Sequence, residues 1–439
     1  MSALAIHSFN SGLEVCGSDK AVKKTDNLKD FPIKIYSGKS AKNIKKFSPD
    51  LVVYTSAISS NSPELKFARK QGLKILKRSE YLGLILKGFN KSVAVCGCHG
   101  KTTTTAMLSH VIKESDLEFT TFIGGEDSAL GNYYSNGNKL AVCEACEFKK
   151  NFLDLSPTHA IVLNIDDDHQ DSFVDMQDRI NCFKKFISNS LSVVNADDEN
   201  AKKTIGNTSV TYGINSKCAY KAKNVKQNKF LGVSFTLYFN DNRLGRINLR
   251  EGGVHNVYNA LSVSAISLNL GVPFTSIKKG LEGFEGVSRR MQNLTDLLSP
   301  SEKVKTRVQI IADYAHHPTE IKRLIEQVRA GNSDHFVFQP HTYSRTRELM
   351  DKFVDVLSDV ENLYIYKTYP AREKRDKKGD AKALYKALKK KRASLKVKYV
   401  KNDRRLKAVF NSVKEGRIFV VGAGDLYDKV KKYLNLNNI

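Results

Sequence analysis

Residues 93–105, VAVCGCHGKTTTT, limit the possible folds more than any other stretch of this chain. An apolar run from Val93 to Val95 leads into Gly97 and Gly100, then a lysine, four threonines and an apolar helical pattern. That order is strand, tight loop, helix, the unit from which parallel α/β sheets are built. The backbone N–H groups of such a loop, together with the helix N-terminus, form an anion site. Lys101 adds a mobile positive charge, and Thr102 offers a hydroxyl to a Mg2+ ion. The full GxxxxGK[ST] pattern is absent, because Val95 stands at the first glycine position, and the shorter GxHGKT remains. The plain alternative is a glycine turn before a threonine-rich helix start.

At roughly 100–200 residues per domain, a chain of 439 residues suggests three domains. A hydrophobic content of 41% supports packed cores and argues against disorder. No apolar run of about 18 residues occurs, so no membrane span is expected. The opening MSALAIHSFNSGLEVCGSD lacks the basic start, apolar block and cleavage site of a secretion signal. Seven cysteines, an odd number, point to free thiols in a reducing, cytoplasmic compartment. Cys96, Cys98, Cys143 and Cys146 mimic a zinc site, but a strand end and a phosphate loop do not supply its paired spacing. The net charge is +25, with lysines scattered along the chain and concentrated in KALYKALKKKRASLKVKYVK. No aromatic-interleaved basic motif accompanies them, so a solvated surface that steers anionic substrates is expected, and nucleic-acid binding is not.

Taken in order, residues 1–89 alternate short strands and helices, which predicts a parallel sheet with crossover helices. Leu13–Cys16 reads as a strand before a Gly17-Ser18-Asp19 turn, Leu51–Tyr54 as a buried strand, Pro63–Lys70 as a helix and Lys74–Leu76 as a strand. Ligands of such sheets bind beyond the carboxyl ends of strands, which makes Ser18, Asp19 and Ser56 candidate contacts, with ordinary turn chemistry as the alternative. Residues 90–297 open on the phosphate loop. Ile123-Gly124-Gly125 and Gly131-Asn132 read as turns, and two further strands end in Glu144 and in NIDDDH with His169. Carboxylate, imidazole and the Thr102 hydroxyl could share a divalent ion. Residues 217–250 read as an edge hairpin turning at Asn240-Asp241-Asn242, and a helix runs from His255 to about Leu270 with Asn256 and Asn259 on one face. Those asparagines could cap the helix or read a purine edge. Arg289 and Arg290 could meet phosphate or pair with surface acids. From 298 to 439 the alternation restarts, and four strand ends carry Asp313 with His316, then His341 with Tyr343 and Arg345, then Tyr369 to Glu373, and finally Gly422 to Asp425. In a doubly wound sheet these share one edge, the wall of a substrate site.

The blocks GxHGKTTTT, EACE, NIDDDH, HNVYNA, GVSRR, DYAHHPTE, QPHTYSRT and VVGAGD, in this order, resemble those of the Mur ligases. HHPTE and QPHTYSRT resemble the member that adds L-alanine to UDP-N-acetylmuramate. The resemblance implies three α/β domains: a Rossmann-like UDP-substrate domain at 1–89, a central P-loop ATPase at 90–297 and a Rossmann-like amino-acid domain at 298–439. It implies an ATP-dependent amide ligase of peptidoglycan precursor synthesis that works through an acyl phosphate. Alternatives are a muramyl-peptide recycling ligase and a truncated non-catalytic derivative. By the same resemblance Gly97, His99, Gly100, Lys101, Thr102 and Thr103 would hold the ATP phosphates. Thr102, Glu144 and His169 would hold Mg2+, with Lys101 and His169 in catalytic roles. Asn256 and Asn259 would face the adenine, Asp313 the ribose, and Arg289 or Arg290 the phosphates. His316, His341, Tyr343 and Arg345 would surround the alanine and the reacting carboxylate, with His316 as the proton acceptor and Arg345 gripping the alanine carboxylate.

Two departures from the family pattern carry expectations. Mur ligases open with a strand and a GxGGxGM-type turn, whereas Met1-Ser2-Ala3 corresponds to the end of that turn. A first domain without them is expected to bind the UDP substrate poorly or to fold badly. Cys98 stands where threonine or serine is usual, with little expected loss because the position is read as a backbone N–H contributor.

Overall fold

The computed structural model describes residues 1–19, 28–38, 40–56, 58–166, 172–227, 232–295, 307–328, 333–371 and 373–436. It forms two compact units: Met1–Arg250 with Val254–Glu285, and Glu251–Gly253 with Gly286–Ile439.

The first unit is organised around Lys91–Cys96, an apolar strand whose residues are buried from Ser92 onward. A strand buried on both faces belongs in the middle of a parallel sheet. It lies between His159–Val162 and Leu140–Glu144, parallel to both. The ten-stranded sheet carries antiparallel additions at both edges. One is the hairpin Val233–Phe239 and Asn242–Leu249, whose turn places Asn240 and Asp241 at φ 45° and 64°. That matches the expected edge hairpin, whose tight turn favours left-handed residues. The other edge corrects the sequence reading. Gly124 and Gly125 lie inside the strand Phe119–Asp127, not in a turn. A glycine inside a strand marks a close approach, and a Cβ on Gly124 would lie 2.5 Å from a Glu144 carboxylate oxygen.

Residues before 90 also depart from expectation. The strand is Cys16–Asp19, so Ser18 and Asp19 end a strand instead of forming a turn. It pairs in parallel with Lys34–Ser37, which sets its register at Cys16↔Lys34. Leu51–Tyr54 pairs separately with Lys74–Lys77. The expected single sheet is therefore two parallel pairs among the described residues, since no ladder joins them. The Pro63–Lys70 helix has the expected bounds, with proline in its first turn, where its missing N–H costs nothing. Helix Ser2–Asn10 packs Ala3 and Leu4 into the core that also holds Leu82, Leu86, Ala94 and Phe152.

The second unit is a six-stranded sheet, parallel except for Gln292–Asn293, which runs antiparallel to Arg307–Asp313. That short strand falls inside the segment assigned by sequence to the central domain. Side chains alternate between the faces. Ile311, Phe336, Phe338, Leu363 and Phe419 pack against helices Pro318–Val328, Met350–Leu357 and Ala381–Lys391. Ile310, Val337, Tyr364, Ile418 and Val420 pack against Asp403–Ser412 and Leu426–Leu436. Both faces are covered, the doubly wound arrangement expected of alternating β and α elements.

Candidate active site

The phosphate loop follows strand Lys91–Cys96 and enters helix Lys101–Lys113. Gly97 and Gly100 have φ 139° and 86°, and a Cβ at either would come within 2.9 Å of Leu163 or of Asn259 Oδ1. Glycine is therefore required at both. The N–H groups of Cys98 and His99 donate to Asn164, at 3.1 and 2.8 Å, and not toward the helix N-terminus. The Cys98 thiol donates to the Asp166 carbonyl at 3.3 Å and accepts from the Asp166 N–H at 3.2 Å. Its side chain thus ties the loop to the neighbouring strand end, contrary to the reading of position 98 as a backbone contributor alone. His99 is buried, with Nε2 3.3 Å from Asp166 Oδ2. The anion-facing groups left are the first-turn N–H groups, which no carbonyl of the helix can satisfy, and Lys101.

Lys101 Nζ donates to the Gly97 carbonyl at 2.5 Å and sits 2.9 Å from one oxygen of Glu147 and 3.1 Å from the other. Glu147 is fully buried. Burial alone would disfavour the ammonium, but the Glu147 carboxylate outweighs it and holds Lys101 above its ordinary pKa. Glu147 was missed by sequence reasoning. The signal was the second acid of EACE, hidden because the first ended a strand and the overlapping Cys143 and Cys146 resembled metal ligands. Thr102 Oγ1 donates to Glu144 Oε2 at 3.1 Å, and the Gly124 N–H donates to Glu144 Oε1 at 2.5 Å. Burial pushes the Glu144 carboxyl up, opposed by the Gly124 N–H and by Lys101. Thr102 and Glu144 are thus brought together as expected, while His169 lies outside the described residues. Thr103 is buried on the same helix.

Asn256 and Asn259 share a face of helix Val254–Asn269, with Asn259 Nδ2 donating to Asn256 Oδ1 at 3.1 Å. The Asn259 side-chain oxygen Oδ1 is the atom nearest a Cβ on Gly100, so this pair borders the phosphate loop. Ser56 Oγ bonds the Asn151 side-chain amide at 3.1 Å. Ser18 and Asp19 are the exposed last residues of their strand.

The second unit gathers the other candidates. Asp313 accepts from the Met291 N–H at 3.0 Å and the Ala315 N–H at 2.8 Å, and burial raises its pKa. Glu251 is pushed up to about 8 by burial and by Asp313. Arg290 lies 3.9 Å from Glu320 and over the Tyr314 ring at 5.2 Å. Arg289 pairs with Asp428 at 2.7 Å, the acid-pairing alternative of the sequence reading. The His316 and His341 rings are 5.5 Å apart, and Arg345 Nη1 is 3.4 Å from His341 Nδ1. Burial, reinforced by Arg345, pushes both imidazoles down to about 4. That corrects the picture of His316 as a base poised near neutrality. The ring is unprotonated at neutral pH and can accept a proton, but weakly. Glu373 accepts from the Tyr343 N–H at 2.7 Å and the Ser344 N–H at 2.9 Å, which fixes the turn carrying His341, Tyr343 and Arg345. Arg345 has no carboxylate partner among the described residues.

Three family models match the chain. "Mur ligase family, catalytic domain" matches residues 1–90, "Mur ligase middle domain" 95–267 and "Mur ligase, glutamate ligase domain" 299–425. The chain is 41% identical over 386 residues to the UDP-N-acetylmuramate–L-alanine ligase of Acetivibrio thermocellus, covering 85% of this chain and 80% of that one. It is 36% identical to the enzyme of that name from Clostridium beijerinckii, over 99% of this chain and 95% of that one. It is similar to the crystal structure of the Thermotoga maritima UDP-N-acetylmuramate–alanine ligase, with a TM-score of 0.84 at 30% identity, covering 100% and 96% of the two chains. The chain has the three-domain α/β fold of that structure and belongs to the Mur ligases, a family of ATP-dependent ligases.

Proposed function

We propose that this chain joins L-alanine to the carboxylate of UDP-N-acetylmuramate in peptidoglycan precursor synthesis, hydrolysing ATP to ADP and phosphate. The observation that carries the reading is the grouping of Lys101, Thr102 and Glu144 at adjacent strand ends, in a chain so similar to ligases of that name. A carboxylate is a poor electrophile. Its oxygen attacks the γ-phosphorus of ATP, ADP leaves, and the acyl phosphate formed has a good leaving group. The amine of alanine attacks the acyl carbon, and the tetrahedral adduct expels phosphate.

Each residue answers one difficulty of that sequence. Lys101 and the first-turn N–H groups offset the repulsion between carboxylate and triphosphate. The Thr102 hydroxyl and Glu144 carboxylate are hard oxygen donors suited to Mg2+, with His169 as the further expected ligand. Bound there, Mg2+ would supply charge neutralisation at the phosphates. Gly97, His99, Gly100 and Thr103 shape the loop, Asn256 and Asn259 border it where a base would lie, and Arg290 and Asp313 are assigned to phosphate and ribose. Arg289 is the weaker phosphate ligand, since Asp428 already neutralises it. Arg345 would grip the alanine carboxylate bidentately. Unprotonated His316 and His341 leave that guanidinium without competition and can take the ammonium proton. Ser18, Asp19 and Ser56 are assigned to the UDP substrate. We divide the chain into 1–89, 90–297 and 298–439 for these tasks, with 286–297 moved to the last because it lies in the second unit, and place it in the cytoplasm. No helix among the described residues is long and apolar enough to cross a membrane.

Phosphate release with ATP, Mg2+ and UDP-N-acetylmuramate tests the reading. Release that depends on L-alanine is expected. Release that depends on a tripeptide instead would replace it with a recycling ligase, and no release with either would leave a non-catalytic derivative.

A further inference from the structure

Lys149 and Lys150, two and three residues beyond the Glu147 that holds Lys101, both have left-handed backbones, with φ 53° and 56°. For a non-glycine residue this conformation costs roughly 1–2 kcal/mol. Two in succession persist only where the surroundings impose them. Here the Lys149 N–H donates to Ser172 Oγ at 2.9 Å and the Lys150 N–H to the Glu147 carbonyl at 2.9 Å. Asn151, next in line, is bonded to Ser56.

The two side chains have different fates. Lys150 pairs with Asp178 at 2.9 Å and lies over the Phe173 ring at 5.5 Å, so its charge is neutralised within the fold. Lys149 is exposed and has no carboxylate partner among the described residues. Its ammonium reaches the carbonyl of Ser56 at 3.4 Å, just beyond the carboxyl end of strand Leu51–Tyr54. Strand ends of this kind are where α/β sheets receive ligands. The strained backbone thus directs a cation that pairs with no carboxylate among the described residues, and that lies over the Phe148 ring at 5.5 Å, to the ligand-receiving end of the residues before 90.

We propose that Lys149 binds an anionic group, diphosphate or carboxylate, of the UDP-linked substrate. The assignment rests on the proposed function, which supplies a substrate carrying both groups. The strained backbone, together with the lack of a carboxylate partner among the described residues, separates Lys149 from lysines such as Lys139 and Lys279, which pair with Glu118 and Glu114. Such a contact is a charge-assisted hydrogen bond, among the stronger kinds.

Lys149→Gly tests this, because glycine keeps the left-handed backbone without its steric cost while removing the charged side chain. Calorimetric titration of the full chain is expected to show affinity for UDP-N-acetylmuramate falling about tenfold, with ATP affinity and melting temperature not reduced. Lys149→Arg should restore binding. UDP-N-acetylglucosamine, which lacks the lactyl carboxylate, locates the contact: the same loss assigns Lys149 to the diphosphate, and no loss assigns it to the carboxylate. Unchanged affinity for UDP-N-acetylmuramate in Lys149→Gly, with normal wild-type binding, would overturn this inference alone. A wild type that binds neither sugar nucleotide would overturn the functional reading as well.

Discussion

Lys101 in the first unit and Arg345 in the second are both site cations, but the fold treats them oppositely. Lys101 is held 2.9 Å from a fully buried carboxylate. Arg345 faces two imidazoles that burial keeps unprotonated. Lys101 is thus kept charged, aimed and neutralised until a phosphate displaces or shares its partner. Arg345 is a standing positive charge without a carboxylate counter-ion among the described residues, suited to a small carboxylate. The difference shows how one chain can handle two anions: one cation belongs to a charge-balanced pair, and the other is left for the ligand to balance.

Substitutions can break that contrast. The largest effect is expected from Lys101→Ala, which should lower kcat about a thousandfold. Arg345→Ala should instead raise the KM for L-alanine about ten- to a hundredfold with the KM for ATP unchanged. Steady-state kinetics with each substrate varied decides this. Equal effects of both variants on both constants would erase the distinction.

Stability should separate the two cations next. Glu147→Ala leaves a buried ammonium uncompensated and should destabilise the first unit by roughly 3–5 kcal/mol. Arg345→Ala, which breaks no ion pair among the described residues, should cost under about 1 kcal/mol. Urea unfolding of each variant measures both.

The histidine pair adds a pH dependence. Folding lowers both pKa values from 6.5 to about 4, so the unfolded chain binds more protons between those limits. Stability from this source is complete above about pH 6.5 and is lost as pH falls toward 4. Replacing His316 with Asn should remove about 2 kcal/mol of that loss, read from melting at pH 7 and pH 4.5. A pH effect of opposite sign is expected at Glu251. Its carboxyl is raised from 4.5 to about 8, so folding is penalised as pH rises through that range. By the same linkage Glu251→Gln should stabilise the second unit by roughly 4 kcal/mol at pH 8 and by little at pH 4.

Much of this was legible in the sequence because local rules and tertiary context agree. Proline and buried Leu65 and Ala68 fixed helix Pro63–Lys70, and the strands before Glu144 and Asp313 showed as apolar runs ending on a carboxylate. Gly124 was misread because a turn glycine and a close-approach glycine look alike until the partner, Glu144, is known. Glu147 was missed because its meaning comes from an ion pair with a residue 46 positions away. The unprotonated state of His316 depends on burial that no motif encodes. The strain at Lys149 and Lys150 is invisible in a residue type that ordinarily avoids such backbone angles.

Carboxylate activation at the phosphate loop is tested most directly by isotope transfer. UDP-N-acetylmuramate labelled with 18O in its carboxylate is incubated with ATP, Mg2+, L-alanine and the full chain, and the released phosphate is analysed by mass spectrometry. One 18O per phosphate is expected, since the acyl phosphate carries a carboxylate oxygen away with the leaving group. Amide product accompanied by unlabelled phosphate would contradict the account.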